Sequence, residues 1–188
     1  MKTKYFITTL LLLTIFITQG QIYYGFKVGA NYSNLGGDVE NNAYKAAMHF
    51  GGVAEYEYND LLSFQGEVTF SFQGLQNKDD SEFKTNLNYV NVAVVGKYFV
   101  SDYITIDAGP QFGYLLSAKN ALVGDESIDV IDNFKSIDYG VLVGATYEFD
   151  YGIFISLRYN LGLANISNLD SFKTNNSVAQ LSLGYKFY

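Results

Sequence analysis

Several segments of this chain alternate apolar and polar residues with a period of two, which is the pattern of a β-strand with one apolar face. From Ile153 to Leu163 every odd-numbered residue is apolar, and Ser156 and Arg158 lie on the opposite face. The segments Leu62–Gln73 and Ile137–Phe149 repeat this alternation. No stretch of helical periodicity follows residue 20, so the sequence predicts an all-β fold.

Five further segments are predicted to be strands: Tyr23–Ser33, Ala47–Tyr58, Leu87–Val100, Tyr103–Ala118 and Asn176–Tyr188. All eight reach the roughly 9 to 11 residues that a tilted strand needs to cross a bilayer. Their connections alternate between short turns at 59–60, 101–102 and 150–152 and long loops at 34–46, 74–86, 119–135 and 164–175. This predicts an eight-stranded antiparallel up-and-down transmembrane β-barrel of the OmpA and OmpX type. The termini and turns are then in the periplasm and the loops outside the cell.

Alternation alone fits a membrane barrel with an apolar outer face and also a soluble, ligand-carrying barrel with an apolar interior. Aromatic residues near the strand ends favour the first, because they resemble the girdle of a membrane barrel at the water boundary. These aromatics are Tyr56, Tyr58, Tyr98, Tyr103, Tyr147, Phe149 and Phe187. The polar face is rich in glycine and carries charges of both signs, which suits a narrow interior crossed by salt bridges.

The charged residues of the polar face are interpreted as a structural ion-pair network in the lumen. They are Lys27, Glu55, Glu67, Lys97, Asp107, Asp138, Glu148, Arg158 and Lys186. Glu67 and Asp107 with Arg158 are also a candidate acid–base group, and so is Lys97 with Glu148. However, side chains fill the interior of an eight-stranded barrel and leave a substrate no room, while buried charges require partners. The structural network is therefore the favoured interpretation.

No catalytic, cofactor-binding or metal site is expected. His49 is the only histidine, and without any cysteine it lacks the usual partners of a metal site or a nucleophile, so it is predicted to be an ordinary strand-end residue. An acidic stretch in the longest loop lacks the spacing of a calcium loop and is interpreted as a solvated loop. It comprises Asp125, Glu126, Asp129 and Asp132. Pro110, the only proline, is predicted to cause a local bulge or kink.

The N-terminus has the features of a secretory signal peptide. Lys2 and Lys4 precede an uncharged, mainly apolar run from Tyr5 to Ile17, and a small residue stands at the predicted cut. The run is shorter than the roughly 18 residues of a membrane-spanning helix, which disfavours an anchor. Cleavage is predicted after Gly20, so that residues 21–188 form one outer-membrane barrel domain.

The absence of cysteine excludes disulfides and thiol catalysis. Removal of the two signal-peptide lysines lowers the formal net charge from −7 to −9. An acidic chain without a basic stripe does not suit nucleic acid, because phosphates require clustered lysine or arginine. Outer-membrane lipid is the partner that the strand pattern predicts.

Segments along nearly the whole mature chain resemble the PorT-like outer-membrane β-barrel proteins, which are abundant in Bacteroidota. They are 25–35, 87–100, 106–119, 158–166 and the C-terminal sequence LGYKFY. The most specific motifs are Ala-Gly-Pro-Gln at Ala108–Gln111 and Arg-Tyr-Asn-Leu-Gly at Arg158–Gly162. Two departures are Ala93, where members often have proline, and Tyr188 after the usual terminal Phe187. The resemblance implies a location in the outer membrane of a Gram-negative cell and, for the namesake, a part in the secretion of surface proteins.

The sequence favours a structural or protein-interaction barrel whose loops or turns contact other envelope or secretion proteins, and it is not expected to be an enzyme. The first alternative is a small channel or transport barrel, which predicts single-channel conductance. The second is a soluble periplasmic barrel with an apolar ligand inside, which predicts that the mature protein stays in solution without detergent.

Overall fold

The computed structural model describes residues 21–38, 42–78, 83–121, 127–169 and 172–187. Nine strands lie in these ranges: β1 (Ile22–Gly37), β2 (Asn42–Asn59), β3 (Leu62–Asn77), β4 (Lys84–Ser101), β5 (Ile104–Ala121), β6 (Ser127–Asp129), β7 (Ile137–Glu148), β8 (Ile153–Gly162) and β9 (Thr174–Phe187). Eight of them are the predicted strands, and the short β6 is an addition. The predicted signal peptide lies outside the described residues.

The strands form one closed antiparallel sheet. Each long strand pairs with the next along the chain, except that β5 pairs with β7 beyond the short β6. β1 pairs with β9, from Tyr24 opposite Phe187 to Gly37 opposite Thr174, and this pairing closes the barrel. Closure gives the backbone groups of every long strand partners on both sides, which a sheet in lipid requires. The predicted eight-stranded up-and-down barrel is confirmed.

The strands extend further than predicted at the end of the barrel that carries the long connections. Most of 34–46 and 74–86 is strand and not loop, because β1 continues to Gly37 and β3 continues to Asn77. These stretches are rich in asparagine and glycine, which have low strand propensity, but pairing with neighbouring strands overrides that preference. We call this end the loop end, and the end with the three short turns and both termini of the barrel the turn end.

The outer face of the barrel is apolar, as predicted. On β8, Leu157 is 63% exposed whereas its neighbour Arg158, on the other face, is buried. Aromatic side chains cluster at the turn end, where the ring centroids of Tyr103 and Tyr147 are 6.1 Å apart and those of Tyr147 and Phe149 are 4.7 Å apart. The described residues contain no helix that is long and apolar enough to span a membrane. Because the exposed face carries the apolar side chains and the charged ones are buried, the alternative of a soluble barrel with an apolar face turned inward is wrong.

Of the bulge or kink predicted at Pro110, the bulge is absent. Pro110 lies opposite Val141 of β7 in an uninterrupted register, and the register between β4 and β5 is the same on both sides of it. Because Pro110 has no N–H to donate, the regular pairing of β4 with β5 is interrupted at Val94. Neither strand contains an extra residue at this point. A Cβ on the adjacent Gly109 would lie 1.9 Å from the Val94 carbonyl oxygen, so the two backbones approach closely here.

Glycines on the inner face make room for large side chains, which agrees with the narrow interior expected from the sequence. Gly184 of β9 lies opposite Phe154 of β8, and a Cβ at Gly184 would lie 2.1 Å from the Phe154 ring. A Cβ at Gly29 would lie 2.7 Å from the imidazole of His49. The inward-facing aromatic and imidazole rings therefore depend on a neighbour without a side chain.

Candidate functional site

The lumen next to the turn end contains a four-membered ion cluster, which we call the turn-side cluster. Lys97 Nζ lies 2.8 Å from Glu55 Oε2 and also pairs with Glu148. Lys186 Nζ lies 3.0 Å from the same Glu55 oxygen and 2.6 Å from Glu148 Oε2. Ser63 Oγ donates to the other Glu55 oxygen at 2.7 Å. Two lysines thus neutralise two glutamates that four different strands bring together.

A second cluster, the central cluster, follows further along the lumen and centres on a guanidinium group. Arg158 Nε donates to Asp107 Oδ2 at 2.8 Å, and Nη1 of the same side chain pairs with Glu67. Lys27 pairs with the second Glu67 oxygen. Thr105 Oγ1 donates to Asp107 Oδ1 at 2.7 Å. Both carboxylates and both cations are buried and partnered, and their formal charges cancel.

Beyond the central cluster most of the buried polar side chains of the lumen are uncharged. His49 Nδ1 lies 2.8 Å from Asn31 Oδ1, and its Nε2 lies 2.8 Å from Ser182 Oγ. Asn31 also accepts a hydrogen bond from Gln180 at 3.1 Å and donates to Ser71 at 2.9 Å. The strand-end position predicted for His49 is wrong, because β2 begins earlier than expected and the imidazole is fully buried inside the barrel.

Asp138 is the one residue of the predicted network that the structure does not join to a cation. Its Oδ2 accepts a hydrogen bond from Asn176 at 3.2 Å, and its Oδ1 has no hydrogen-bond partner among the described residues. Asp138 has no cationic partner because it lies next to the start of β7, at the loop end of the barrel. Arg158 and the lysines of both clusters lie closer to the turn end.

The loop end of the lumen contains a cluster of buried apolar side chains, which the sequence did not predict. Seven buried residues form an apolar plug: Leu35, Leu87, Tyr89, Leu115, Ala118, Ala164 and Ile166. In β4, residues 87–95 are apolar on both faces apart from two asparagines. Alternation therefore cannot identify which face of this strand points inward, although the continuous apolar run does indicate that both faces are apolar. Ile166 belongs to a segment predicted to be an outer loop, but it is fully buried.

Two of the long connections fold together over the plug as a loop cap, which we define as residues 127–136 and 163–169. Phe134 and Ser167 form an antiparallel β-bridge. The Asn168 side chain donates to the carbonyl oxygens of Asp132 at 3.0 Å and Phe134 at 3.2 Å. Lys135 N donates to the Ile166 carbonyl at 2.7 Å. These bonds connect the two segments into one layer above the barrel.

The described residues contain no group of three histidine, cysteine or acidic side chains arranged to hold a metal ion. Of the acidic stretch considered as a calcium loop, Asp125 and Glu126 lie outside the described residues. Asp129 and Asp132 are exposed, and Asp129 Oδ1 accepts a hydrogen bond from the backbone N–H of Ile131 at 2.9 Å. The carboxylates that lie close together are those of the two ion clusters, and lysine or arginine already occupies them.

The family model of the outer membrane protein beta-barrel domain matches residues 18–168. The chain belongs to this family. Members of the outer membrane protein beta-barrel family lie in the outer-membrane bilayer, and the apolar outer face of this chain suits that location. Among curated proteins, none is significantly similar in sequence to this chain.

Solved outer-membrane barrels share the fold of this family member. Neisserial surface protein A is 16% identical, with a TM-score of 0.60 over 87% of this chain and 97% of that protein. Ail, the attachment invasion locus protein of Yersinia pestis, in complex with the heparin analogue sucrose octasulfate, is also 16% identical. Its TM-score is 0.52, over 89% of this chain and 99% of Ail. At this level of identity the similarity concerns the fold alone.

Proposed function

We propose that this outer-membrane barrel is a non-conducting, non-enzymatic protein that acts by binding another envelope protein at its loop end. The observation that carries the proposal is the filled lumen. Two neutral ion clusters, a hydrogen-bonded polar layer and the apolar plug follow one another along the barrel axis. When side chains fill the interior of a barrel, a partner can reach only its ends and its outer face. Lipid covers the outer face, so the ends remain available for function.

The filled lumen argues against the alternative of a small channel. An ion moving through the barrel would have to displace Lys97 and Lys186 from their glutamates and then cross the plug around fully buried Leu87. Each of these steps exposes unpaired charge or separates packed apolar groups. Neither requirement suits a passage that conducts ions.

The surroundings of His49 support a non-enzymatic role. Both imidazole nitrogens are engaged, with Asn31 and Ser182, and the ring is fully buried below the apolar plug. A general base must reach a substrate proton, and this side chain has no open approach. The carboxylates of the two clusters are likewise engaged with cations, as a structural network requires.

The loop cap is the surface proposed to meet the partner. Ile128 on β6 is 55% exposed and Leu169 is 58% exposed, and both lie on the layer beyond the barrel mouth. Hydrogen bonds between the two cap segments hold this layer in a defined shape. Exposed apolar residues on a rigid surface that projects from the membrane are typical of a protein interface.

The proposal places the termini and the turn end in the periplasm and the loop end outside the cell. Since the chain has no cysteine, this orientation can be read from single cysteines. We expect a membrane-impermeant maleimide to label Lys119→Cys on intact cells and to label Asp102→Cys, in the turn between β4 and β5, only after the outer membrane is permeabilised. Labelling of Asp102→Cys alone on intact cells would reverse the orientation.

We further propose that the chain is a PorT-like protein of Bacteroidota and that its partner takes part in secretion or envelope assembly, as the motifs at Ala108–Gln111 and Arg158–Gly162 suggest. Gene deletion is then expected to alter the secreted and surface proteomes, measured by mass spectrometry, and the full chain should restore them. Ile128→Asp should fail to restore them, whereas the control Tyr151→Asp, a change at an exposed position of the turn end, should succeed. Unchanged proteomes in the deletion strain would contradict the proposal.

A further inference from the structure

A cavity of about 220 Å³ lies between the loop cap and the barrel rim. Leu35 and Leu75 line it from β1 and β3, while Val130, Phe134 and Leu169 line it from the cap. It is separate from the ion clusters, because the apolar plug lies between them and the cap. Neither the ion network nor the proposed partner surface accounts for this cavity.

The walls of the cavity are held apart by backbone hydrogen bonds. Val130 N donates to the Ala118 carbonyl at 3.0 Å, which ties one side of the cap to β5. Ile166 N donates to the Thr174 carbonyl at 2.8 Å, which ties the other side to β9. Because both sides are anchored, the cap cannot collapse onto the plug without breaking these bonds. An apolar space that is held open in this way is a preformed binding pocket.

The floor of the cavity is closed. Leu87 and Ile166 of the plug are fully buried, and Leu35 and Leu115 are 2% exposed. Among the described residues these packed side chains separate the cavity from the polar lumen. A molecule that enters from the loop end therefore stays at the mouth of the barrel and does not pass through it.

The lining defines the chemistry of the occupant. No charged side chain is among the described residues that line the cavity, and its polar groups are amides and hydroxyls such as Asn120, Asn133 and Thr85. The Thr85 hydroxyl already donates to Asn120 Oδ1 at 2.9 Å. Two phenyl rings, Phe134 and Phe172, provide aromatic surface. These features suit a neutral molecule with an aromatic body and at most one or two hydrogen-bonding groups.

The volume of the cavity limits the size of the molecule that can bind in it. An apolar cavity of about 150 Å³ accepts benzene, so a cavity of 220 Å³ has room for about nine non-hydrogen atoms. We propose that the cavity under the loop cap is a binding site for a small neutral aromatic molecule of this size. This site goes beyond the proposed protein-binding function and does not depend on it.

Indole, a neutral aromatic molecule of suitable size, is the probe. The protein is refolded in phospholipid nanodiscs with labelled leucine and valine methyl groups, since detergent chains could themselves fill the cavity. We expect saturable chemical-shift changes at Leu35, Leu75 and Val130 as indole is added. The methyl groups of Val94 and Leu157, which face the lipid, should show only the gradual, unsaturable change caused by indole that dissolves in the bilayer.

Val130→Trp should fill the cavity and abolish the saturable changes at Leu35 and Leu75. The matched control Val143→Trp places the same side chain on the lipid face and should leave them intact. Unsaturable changes throughout the native protein would overturn the proposal, and so would equal binding by Val130→Trp. Nuclear Overhauser contacts between Leu75 and another segment of the chain in the absence of indole would also overturn it, because the protein would then fill the cavity itself.

Discussion

Arg158→Leu should destabilise the folded barrel by about 3–5 kcal/mol, the cost of removing one partner from a buried ion network. Arg158 contacts both Glu67 and Asp107, and all three side chains are buried. Without the guanidinium, Asp107 keeps hydrogen bonds from Thr105 and Thr146 but loses its only cation among the described residues. Glu67 keeps Lys27. The central cluster is then left with one uncompensated negative charge in the lumen.

The measurement is urea-induced unfolding in lipid vesicles, with folded and unfolded fractions separated by gel migration with and without boiling. The double variant Arg158→Leu with Asp107→Asn serves as the control, because it removes the unpaired carboxylate and leaves the neutral pair of Lys27 and Glu67. It should recover about half of the lost stability, since the remaining loss is that of hydrogen bonds. Equal stabilities for Arg158→Leu and the native chain would mean that water or ions occupy the lumen and that the network contributes little.

The sequence predicted the fold well where one face of a strand is apolar and the other polar. On β8 the pattern alone identified Leu157 as outward and Arg158 as inward, and the exposures agree. The physical reason is that lipid and a narrow, charged lumen impose opposite demands on alternate residues of the same strand. The same contrast correctly predicted that Glu67 and Asp107 lie on the inner face.

The pattern was uninformative where both environments are apolar. On β4, Val92 and Val94 face outward while Leu87 and Val95 face the interior, and these side chains are chemically alike. The apolar plug was missed for this reason, and the loop cap was missed because its geometry depends on bonds between two connections distant in sequence. The Asn168 side chain joins the two connections, but nothing in the sequence around Asn168 indicates these hydrogen bonds.

The interior changes from ion pairs at the turn end to apolar packing at the loop end, and the two kinds of contact do different work. At the turn end, Lys97 and Lys186 share the charges of two glutamates, which fixes the relative positions of four strands. Ion pairs of this kind are directional and specify register, whereas apolar packing tolerates several arrangements. At the loop end, buried residues such as Leu115 and Ile166 pack the cap against the barrel in addition to its backbone hydrogen bonds. No charged side chain is among the described residues that line the cavity at this end.

Introducing an arginine at Leu157, the residue before Arg158, tests whether the outer face of the barrel contacts lipid. Leu157→Arg should destabilise the barrel by about 2–4 kcal/mol, the cost of a charged residue near the middle of the bilayer. Leu157 is 63% exposed, lies at the middle of the outward row of β8, and has Leu181 and Ala145 as its cross-strand neighbours. These neighbours offer no counter-charge and no hydrogen-bond acceptor on their side chains.

The control is Ile153→Arg, in the same outward row of β8 but at the turn end, where the charge reaches the interface and should cost only about 0–1 kcal/mol. Both variants are unfolded in urea from vesicles of the same lipid, so that their difference reports depth in the bilayer. A similar small cost at both positions would mean that water reaches Leu157. The apolar outer face would then be covered by protein and not by lipid, and the surface to search for a partner would be the side of the barrel instead of its loop end.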